Sequence, residues 1–254
     1  MPRRKNPGRT ARCGKEEWET RVQLAACYRL AHHFGWTDLV YTHISARVPG
    51  PHDHFLLNPM GHLFDEVNAS SLVKIDLEGH NVGASPYTVN QAGFVIHSAV
   101  HGARPDVQCV IHLHTPAGMA VSMLECGLLP LSQHAQIFFG CVAYHDYEGI
   151  ALELEERSRL VRDLGDKPVM ILRNHGTLVA GRSIPQAFSL MFHLEKACRA
   201  QLQAMATGQK LVVPPAQVSA KTRDLALAED SILGRAEWPA LLRLLDRIDP
   251  SYRS

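Results

Sequence analysis

The stretch V-Q-C-V-I-H-L-H-T-P (107–116) combines an apolar run, two histidines and the start of a helix. Its near-continuous apolar character predicts a buried central strand over Val107–Leu113. Residues two apart in a strand point to the same face, so His112 and His114 can present two imidazoles to one point. The Thr-Pro pair that follows has the residue types preferred at the N-cap and first position of a helix. The stretch therefore predicts a strand that carries a histidine pair to the start of a helix.

A third histidine, His175, lies in I-L-R-N-H-G, which is typical of a tight turn after an apolar strand. Neutral imidazole is a ligand for zinc, iron, nickel and copper. Three protein ligands with an open position are typical of a catalytic metal site, whereas a structural zinc site is closed by four. Together with the pair at 112 and 114, His175 indicates a soluble enzyme that uses a divalent metal.

The composition argues against several other classes of function. The chain has 254 residues, 46% of them hydrophobic, and a formal net charge of +1, which gives no long-range field to attract nucleic acid or an acidic membrane. No apolar run approaches the length of about 18 residues that a membrane-spanning helix needs, and we find no apolar signal segment. The six cysteines are widely spaced without a C-x-x-C pattern, so we expect reduced thiols and a cytoplasmic protein.

Helix and strand signals alternate along most of the chain. Apolar residues at helical spacing predict helices, and short apolar runs between Gly, Pro and Asn predict strands and hairpins. The predicted helices cover 16–34, 92–103, 116–126, 151–164, 184–205 and 237–247. The predicted strands cover 41–48, 55–57, 72–77, 107–113, 136–143, 169–172 and 177–180. This order of elements predicts a single α/β domain.

Two terminal segments differ from this domain, which we place at residues 16–206. Residues 1–15 hold Arg and Lys but no acidic residue, together with Pro and Gly, and this composition predicts a disordered basic arm. Residues 207–254 are predicted to form a C-terminal extension, mainly helical, that packs on the domain or on a neighbouring subunit.

Several separated motifs resemble the class II aldolase/adducin family. The similarity is densest from Asn90 to Gly181, in A-G-F-V-I-H-S-A-V-H, C-V-I-H-L-H-T-P-A-G, A-Y-H-D-Y-E-G-I and L-R-N-H-G, which resemble the adducin head domain in particular. Two earlier segments, D-L-V-Y-T-H-I-S-A-R-V-P-G at 38–50 and A-S-S-L-V-K-I-D-L-E-G at 69–79, match the same branch. Motifs in this order are far more specific than a lone H-x-H.

The resemblance implies a three-layer α/β/α domain around a mixed, largely antiparallel sheet. Members of the family commonly form cyclic tetramers with active sites at the subunit interfaces, which implies a homo-oligomer and a small-molecule substrate. The aldolases of the family bind zinc or a similar metal through an H-x-H pair and a later histidine, and the matching positions here are His112, His114 and His175. We therefore expect one divalent metal per chain, zinc or iron first and manganese or nickel next.

The catalytic glutamate of the family's sugar-phosphate aldolases is missing here. In those enzymes it stands four residues before a histidine that matches His97, so its position is Gly93, which offers no general base. Their catalytic tyrosine should fall near Gln133 or His134, and neither residue is Tyr. Histidine as a residue type titrates near neutral pH, and His134 is our candidate catalytic residue; the alternative is a surface or interface histidine.

The phosphate-binding segments of those aldolases are altered as well. Three segments of small residues, which let amides and hydroxyls approach a phosphate, correspond to 42–45, 58–61 and 90–91. Larger residues stand in each of them, namely His43, Met60 and Gln91. Together with the missing glutamate and tyrosine, these departures argue against a sugar-phosphate aldolase.

Other residues at the family's site positions are candidates for binding substrate or for supporting the metal ligands. They are His97, Asn90, Gln91, Asn58, Gly61 and Asn174. Asn174 can hydrogen-bond the turn before His175 or fix its imidazole. His145 can be oriented by a neighbouring carboxylate, but we favour a structural role for it.

Two classes of function fit these features. The first is a metal-dependent enzyme that cleaves or decarboxylates a small non-phosphorylated oxy- or keto-acid, with non-haem iron oxygenation as a variant. The second is a non-catalytic oligomerisation module like the adducin head. We favour the enzyme because the chain is nearly all domain, without the long tail that adducins carry. A sugar-phosphate aldolase is disfavoured.

Overall fold

A seven-stranded sheet forms the centre of the molecule. The computed structural model describes residues 13–50, 53–150, 153–229 and 231–254. The strands are β1 His43–Arg47, β2 Phe55–Leu57, β3 Val73–Ile75, β4 Cys109–Leu113, β5 Val142–His145, β6 Val169–Leu172 and β7 Gly176–Gly181. Their order across the sheet is β3-β2-β1-β4-β7-β6-β5. Neighbouring strands are antiparallel except for β5 and β6, which are parallel, so the sheet is mixed.

Helices cover both faces of this sheet. They are α1 Lys15–His33, α2 Gln91–Ala103, α3 Pro116–Ser122, α4 Gln133–Gln136, α5 Glu156–Leu164, α6 Ile184–Ala206, α7 Ala216–Leu227 and α8 Trp238–Ile248, with a short 3-10 helix at Pro250–Arg253. In β4, Ile111 packs in one core with α1, α3 and α6, whereas Val110 packs in a second core with α2 and α5. The predicted α/β fold around a mixed, largely antiparallel sheet is confirmed.

One predicted strand, at 136–143, is wrong. The chain first forms α4, whose N-terminus is capped by the hydroxyl of Ser132. Gly140 then takes a left-handed conformation with φ of +71°, and β5 begins only after this turn. Ile137 and Phe138 belong to the apolar run that suggested a strand, and they are buried in the same core as α6. Burial of this run by a helical turn explains why its apolar character was misleading.

Two helices differ from the prediction on this side of the sheet. The helix predicted at 116–126 ends at Ser122, because turns follow that lead to Gly127 with φ of +59°. Helix α7 lies in the C-terminal extension that was predicted to be mainly helical, but its own bounds were not predicted. Ser219 is the buried residue of this helix, and there is no apolar face whose helical spacing would predict a helix from the sequence.

Two other boundaries involve residues outside the described part of the chain. The helix predicted at 151–164 begins at Glu156, and residues 151–152 are among those not described. The predicted basic arm lies almost wholly in residues 1–12, which are also not described, and α1 begins at Lys15.

Two expectations about the environment of the chain concern its cysteines and its helices. All six cysteines are free. Within the described ranges, none of the helices has the length and apolar character required to cross a bilayer.

Tyr28 ties α1 to the strands that carry the candidate site. Its ring is fully buried and contacts Phe64 edge-on. Its hydroxyl accepts hydrogen bonds from the backbone N–H of Ile44, at 2.7 Å, and from the backbone N–H of Asn58, at 3.2 Å. It can donate its own hydrogen to the Ile44 carbonyl oxygen or to Asn58 Oδ1. This one hydroxyl therefore fixes β1 and the loop after β2 against α1.

Replacing Tyr28 by Phe should lower the free energy of unfolding by about 1–3 kcal/mol, because it leaves two buried amides without their acceptor. Equilibrium urea unfolding measures the change. Tyr87→Phe, at an exposed ring, is the matched control and should change the stability by less than about 0.5 kcal/mol. A Tyr28→Phe variant as stable as the wild type would show that the hydroxyl does not hold these elements together.

Candidate metal centre

Three histidine rings meet at the end of β4. His112 lies in the strand and His114 directly after it, and the turn between β6 and β7 adds His175. The ring centroids of each of the three pairs are 4.8 Å apart. One nitrogen from each ring lies within 4.8 Å of the others. The structure thus brings together the three residues that the sequence predicts as metal ligands, and we refer to them as the histidine trio.

The turn between β6 and β7 is built to place His175. Asn174 takes a left-handed φ of +53°, which Asn tolerates better than most residues, and its side chain is exposed. The His175 amide donates to the Leu172 carbonyl at 3.1 Å. At Gly176, a Cβ would lie 2.6 Å from the Leu113 carbonyl oxygen, so no side chain fits there. Asn174 therefore contributes its backbone conformation to the turn.

Hydrogen bonds fix the orientation of the first two rings. His112 Nδ1 lies 3.1 Å from the Thr177 carbonyl oxygen, and His114 Nδ1 lies 2.9 Å from Asp38 Oδ2. A carbonyl and a carboxylate can only accept, so each ring carries its hydrogen on Nδ1. In the neutral rings both Nε2 atoms are therefore acceptors, yet they face each other at 3.0 Å. Two lone pairs in such contact require a proton or a cation between them.

Burial disfavours a proton on two of the three rings. Burial first, and the neighbouring histidines second, lower the pKa of His112 well below its ordinary value. Burial followed by the charge of His114 lowers the pKa of His175 to about 4. These two rings are therefore neutral at neutral pH and offer nitrogen lone pairs. Imidazole ligands whose far nitrogen donates to an oxygen are typical of zinc and iron sites, so the donor set fits a divalent metal.

His43 fills the space of the missing glutamate side chain. It pairs with His112 in the register of β1 and β4, and the two ring centroids are 5.1 Å apart. A Cβ on Gly93 would lie 2.8 Å from Cδ2 and 3.0 Å from Cγ of the His43 ring. A side chain at position 93 and this ring therefore cannot both occupy their places. The position of the His43 ring therefore requires glycine at position 93.

A line of buried side chains leads from His43 into the interior. His43 Nδ1 lies 2.9 Å from His97 Nε2, His97 Nδ1 bonds the Ser45 hydroxyl, and that hydroxyl lies 2.8 Å from His101 Nε2. Burial lowers the pKa of His43 and His97 well below the ordinary value, and that of His101 to about 3. The line is therefore neutral. His97 supports His43, and through it the ring that packs on His112.

Side chains in the region that corresponds to the phosphate-binding segments are engaged in hydrogen bonds within the protein. The Asn58 side chain is buried and its Oδ1 is bonded to the hydroxyl that anchors α1. Asn90 Oδ1 accepts hydrogen bonds from two amides in the first turn of α2, at 2.9 and 3.4 Å. Gln91 and Gly61 are exposed. Amides that a phosphate would use at the start of α2 are therefore already capped by a side chain.

His134 lies apart from the histidine trio in the single chain. Its exposed ring is on α4, and its centroid is 5.2 Å from that of His193 on α6. Burial, followed by the charges of His193 and Lys196, lowers its pKa. Within the described residues, no hydrogen bond or ring contact joins His134 to the trio.

Sequence analysis did not predict the contacts of two residues that shape the site: it did not single out Asp38, and it named His43 only as a larger residue in a phosphate-binding segment. Asp38 contacts His114 although the two residues are 76 positions apart in the sequence. No local sequence pattern predicts such a contact. His43 did leave a signal. It falls in a predicted strand, in T-H-I-S-A-R, and the alternation of that strand places His43, Ser45 and Arg47 on one face.

Comparisons with known proteins agree with this geometry. Residues 22–202 match the class II aldolase and adducin N-terminal domain family. The crystal structure of an aldolase II superfamily protein from Pseudomonas syringae has a TM-score of 0.91 and 53% identity, and the match covers 96% of this chain and 98% of that one. The chain therefore belongs to the class II aldolase/adducin family.

Two further relatives differ in kind. L-fuculose 1-phosphate aldolase from Glaciozyma antarctica PI12 has a TM-score of 0.85 and 29% identity, with 98% of this chain and 97% of that chain covered. Alpha-adducin of Mus musculus is 45% identical over 255 residues, which are 94% of this chain and 34% of the adducin. The chain is thus similar over its whole length to a named aldolase, and to about a third of an adducin.

Replacing His112 or His175 by Ala should abolish retention of a divalent metal, of which the wild-type protein should hold close to one per chain. Asp38→Asn should weaken metal binding by about 10–100-fold, because it removes the carboxylate that orients His114. Plasma mass spectrometry after dialysis against zinc measures the content, and His80→Ala, at an exposed histidine, is the control. Full metal content in either alanine variant would show that the ligand set is wrong.

A double-mutant cycle should reveal the steric conflict between His43 and position 93. Gly93→Ala should destabilise the wild type by about 1–3 kcal/mol, because the new methyl group meets the His43 ring. In a His43→Ala background the same change should be neutral or stabilising, as Gly to Ala usually is in a helix.

Gly102→Ala is the matched control for this cycle, because Gly102 lies in the same helix as Gly93 but has room for the added methyl group. The atom nearest to its added Cβ, in the side chain of Leu77, is 3.8 Å away. It should be tolerated in both backgrounds. A coupling energy between positions 43 and 93 below about 0.5 kcal/mol in urea unfolding would contradict the assignment.

The metal-free protein should lose stability as the pH falls below about 6.5. His43, His97 and His101 have folded pKa values below the ordinary 6.5, that of His101 being about 3. The unfolded chain therefore takes up protons that the folded chain does not, and each such histidine lowers the free energy of unfolding by up to about 1.4 kcal/mol per pH unit. Urea unfolding at pH 7.5, 6.5 and 5.5 measures this loss; equal stabilities would contradict it.

Proposed function

We propose that the protein is a metal-dependent enzyme that acts on a small oxy- or keto-acid without phosphate, by C–C cleavage or decarboxylation. The observation that carries the proposal is the facing pair of Nε2 acceptors on His112 and His114, with His175 beside them. Three neutral imidazoles would leave open positions on a metal for a substrate. A site of this kind is built for reaction rather than for closing a structural metal.

The chain's own residues would hold and orient this centre. The histidine trio would bind one divalent metal, zinc or iron first and manganese or nickel next. Asp38 and the Thr177 carbonyl fix the rings of His114 and His112 from behind. When bound, such a metal supplies Lewis-acid chemistry toward a carbonyl or carboxylate oxygen, or oxygen chemistry if it is iron.

The neutral ring of His43 favours an acid as the proposed substrate. A carboxylate at position 93, as in the sugar-phosphate aldolases, would repel an anionic substrate beside the trio. A neutral imidazole carries no such charge, and His43 has its Nδ1 engaged by His97, which leaves Nε2 as its free polar atom. His43 can therefore hydrogen-bond a carboxylate or carbonyl group while tolerating its charge.

The start of α2 supports a substrate without phosphate. A helix N-terminus binds phosphate through unpaired amides and the positive end of the helix dipole. Here Asn90 Oδ1 already accepts from that turn, and the His43 ring stands against Gly93 within it. Little of the usual phosphate cradle is left free.

We further propose that the protein is a cytoplasmic homotetramer with its metal centres near subunit interfaces. Exposed apolar side chains flank the trio, with Leu39 and Tyr41 close in sequence to Asp38, and the Tyr147 ring 6.3 Å from that of His175. Such an apolar rim is suited to cover by a second copy. His134, exposed on α4, would then serve as an acid–base group in a neighbouring subunit's site.

The second candidate is a non-catalytic oligomerisation module. The identity of 45% to alpha-adducin of Mus musculus favours it, because the chain matches that protein over nearly its own full length. This candidate predicts assembly without turnover, whatever metal the trio holds.

The proposed function is tested by loading the protein with Zn²⁺, Fe²⁺, Mn²⁺ or Ni²⁺ and screening non-phosphorylated acids. Hydroxy-oxo acids report C–C cleavage, 2-oxo acids report decarboxylation, and an oxygen electrode with aromatic acids reports oxygenation. We expect turnover of at least one acid, none of fuculose 1-phosphate, and loss of activity in His112→Ala.

Two outcomes would contradict the proposal. Cleavage of fuculose 1-phosphate at a rate above that of every acid would show that the substrate class is wrong. No turnover of any compound by a fully metal-loaded oligomer would favour the assembly module instead.

A further inference from the structure

His145, the last residue of β5, is held by Asp163 of α5. Its side chain is buried, and its Nδ1 lies 2.8 Å from Asp163 Oδ2. Because the carboxylate can only accept, Nδ1 carries the hydrogen, and Nε2 is left as an acceptor in the neutral ring. A carboxylate that fixes the tautomer of a histidine in this way also orients its second ring nitrogen.

The free nitrogen of His145 has no hydrogen-bond partner among the described residues. Glu156 Oε1 lies 3.6 Å from it and Glu148 Oε1 lies 4.0 Å from it, both beyond the usual hydrogen-bond distance. A buried acceptor without a partner is rare and calls for an explanation such as an ordered water. The three atoms surround a gap.

That gap is a small polar cavity beside the histidine trio. The volume of this cavity that is open to the centre of a water molecule is about 10 Å³. This is the lower limit for holding one water molecule. His145, Glu148 and Glu156 line it and would give a water the two to four polar partners it needs. His175 forms another part of its wall, so the cavity joins His145 to the candidate metal centre.

The surroundings of His145 can accept a positive charge on its ring. Carboxylates approach from α5 and from the loop after β5, and arginines balance part of their charge. The charged or titratable groups facing this region are Asp163, Glu156, Glu148, Asp146, Arg159, Arg162, Arg173 and His175. Burial raises the pKa of Glu156 above its ordinary value, so this carboxyl group can also share a proton.

We propose that His145 is a proton-relay residue, which exchanges a proton with the substrate through one water molecule held beside His175. Asp163 is its positioning residue. The substrate's proton passes to the water oxygen while the water gives one of its own protons to Nε2; the ring becomes an imidazolium and the water is regenerated. The reverse transfer returns the proton, so no electrons are gained or lost. This role rests on the proposed function, because it needs a substrate at the trio.

A high-resolution crystal structure of the zinc-loaded protein tests the geometry without any activity. An ordered water within about 3.2 Å of His145 Nε2, in the cavity next to His175, is the expected result. A dry cavity, or a direct bond between Nε2 and Glu156, would overturn the relay. Long-range ¹H–¹⁵N spectra should show a single Nδ1–H tautomer for His145, and both tautomers in Asp163→Asn.

Proton exchange with pyruvate tests the role. The zinc-loaded protein in D₂O should exchange the methyl protons of pyruvate, followed by ¹H NMR. His145→Gln should slow this exchange by about 10²–10⁴-fold with the zinc content unchanged. Asp163→Asn should slow it as well, and serves as the second variant if His145→Gln does not fold. His80→Gln is the control, since His80 pairs with Asp76 at 3.1 Å on the surface.

The outcomes separate the relay from the proposed function. Wild-type exchange that persists unchanged in His145→Gln would overturn the relay and leave the proposed function standing. If the wild type exchanges no pyruvate protons, the same comparison is made with the acid that the screen identifies: an unchanged rate in His145→Gln overturns the relay, and no turnover of any acid contradicts the proposed function.

Discussion

Two imidazole nitrogens, both acceptors, face each other across 3.0 Å at the end of the central strand, and the rest of the site depends on that contact. The hydrogen bonds from His112 and His114 to a carbonyl and a carboxylate remove the option of a direct bond between the rings. Burial lowers the pKa of His112 and His175, so these two rings offer nitrogen lone pairs at neutral pH. The histidine trio is therefore a donor set that fits a divalent cation.

The packing of His43 against Gly93 shapes the space beside the histidine trio. His43 stands where a side chain at 93 would project, and it is held there by His97, Ser45 and the neutral line behind them. The His43 ring beside the trio is neutral, and the first turn of α2 is capped by its own asparagine. Family membership shows the scaffold, and the chain's own residues favour the proposal of a substrate different from that of the sugar-phosphate aldolases.

Much of this arrangement is readable from the sequence, and the parts that are not have physical reasons. The H-x-H pair follows from strand alternation, and the order of helices and strands follows from local periodicity. The strand expected at 136–143 failed because an apolar run of that length fits a buried helical turn equally well. The contacts of Asp38 with His114 and of Asp163 with His145 are tertiary, and local patterns do not encode them.

Anomalous diffraction from crystals grown with zinc tests the central claim most directly. The account predicts one strong peak per chain at the zinc edge, about 2.0–2.1 Å from a ring nitrogen of each of His112, His114 and His175, with His43 packed beside it. A fully occupied peak elsewhere, or an empty trio whose facing nitrogens keep their 3.0 Å contact at saturating zinc, would contradict it.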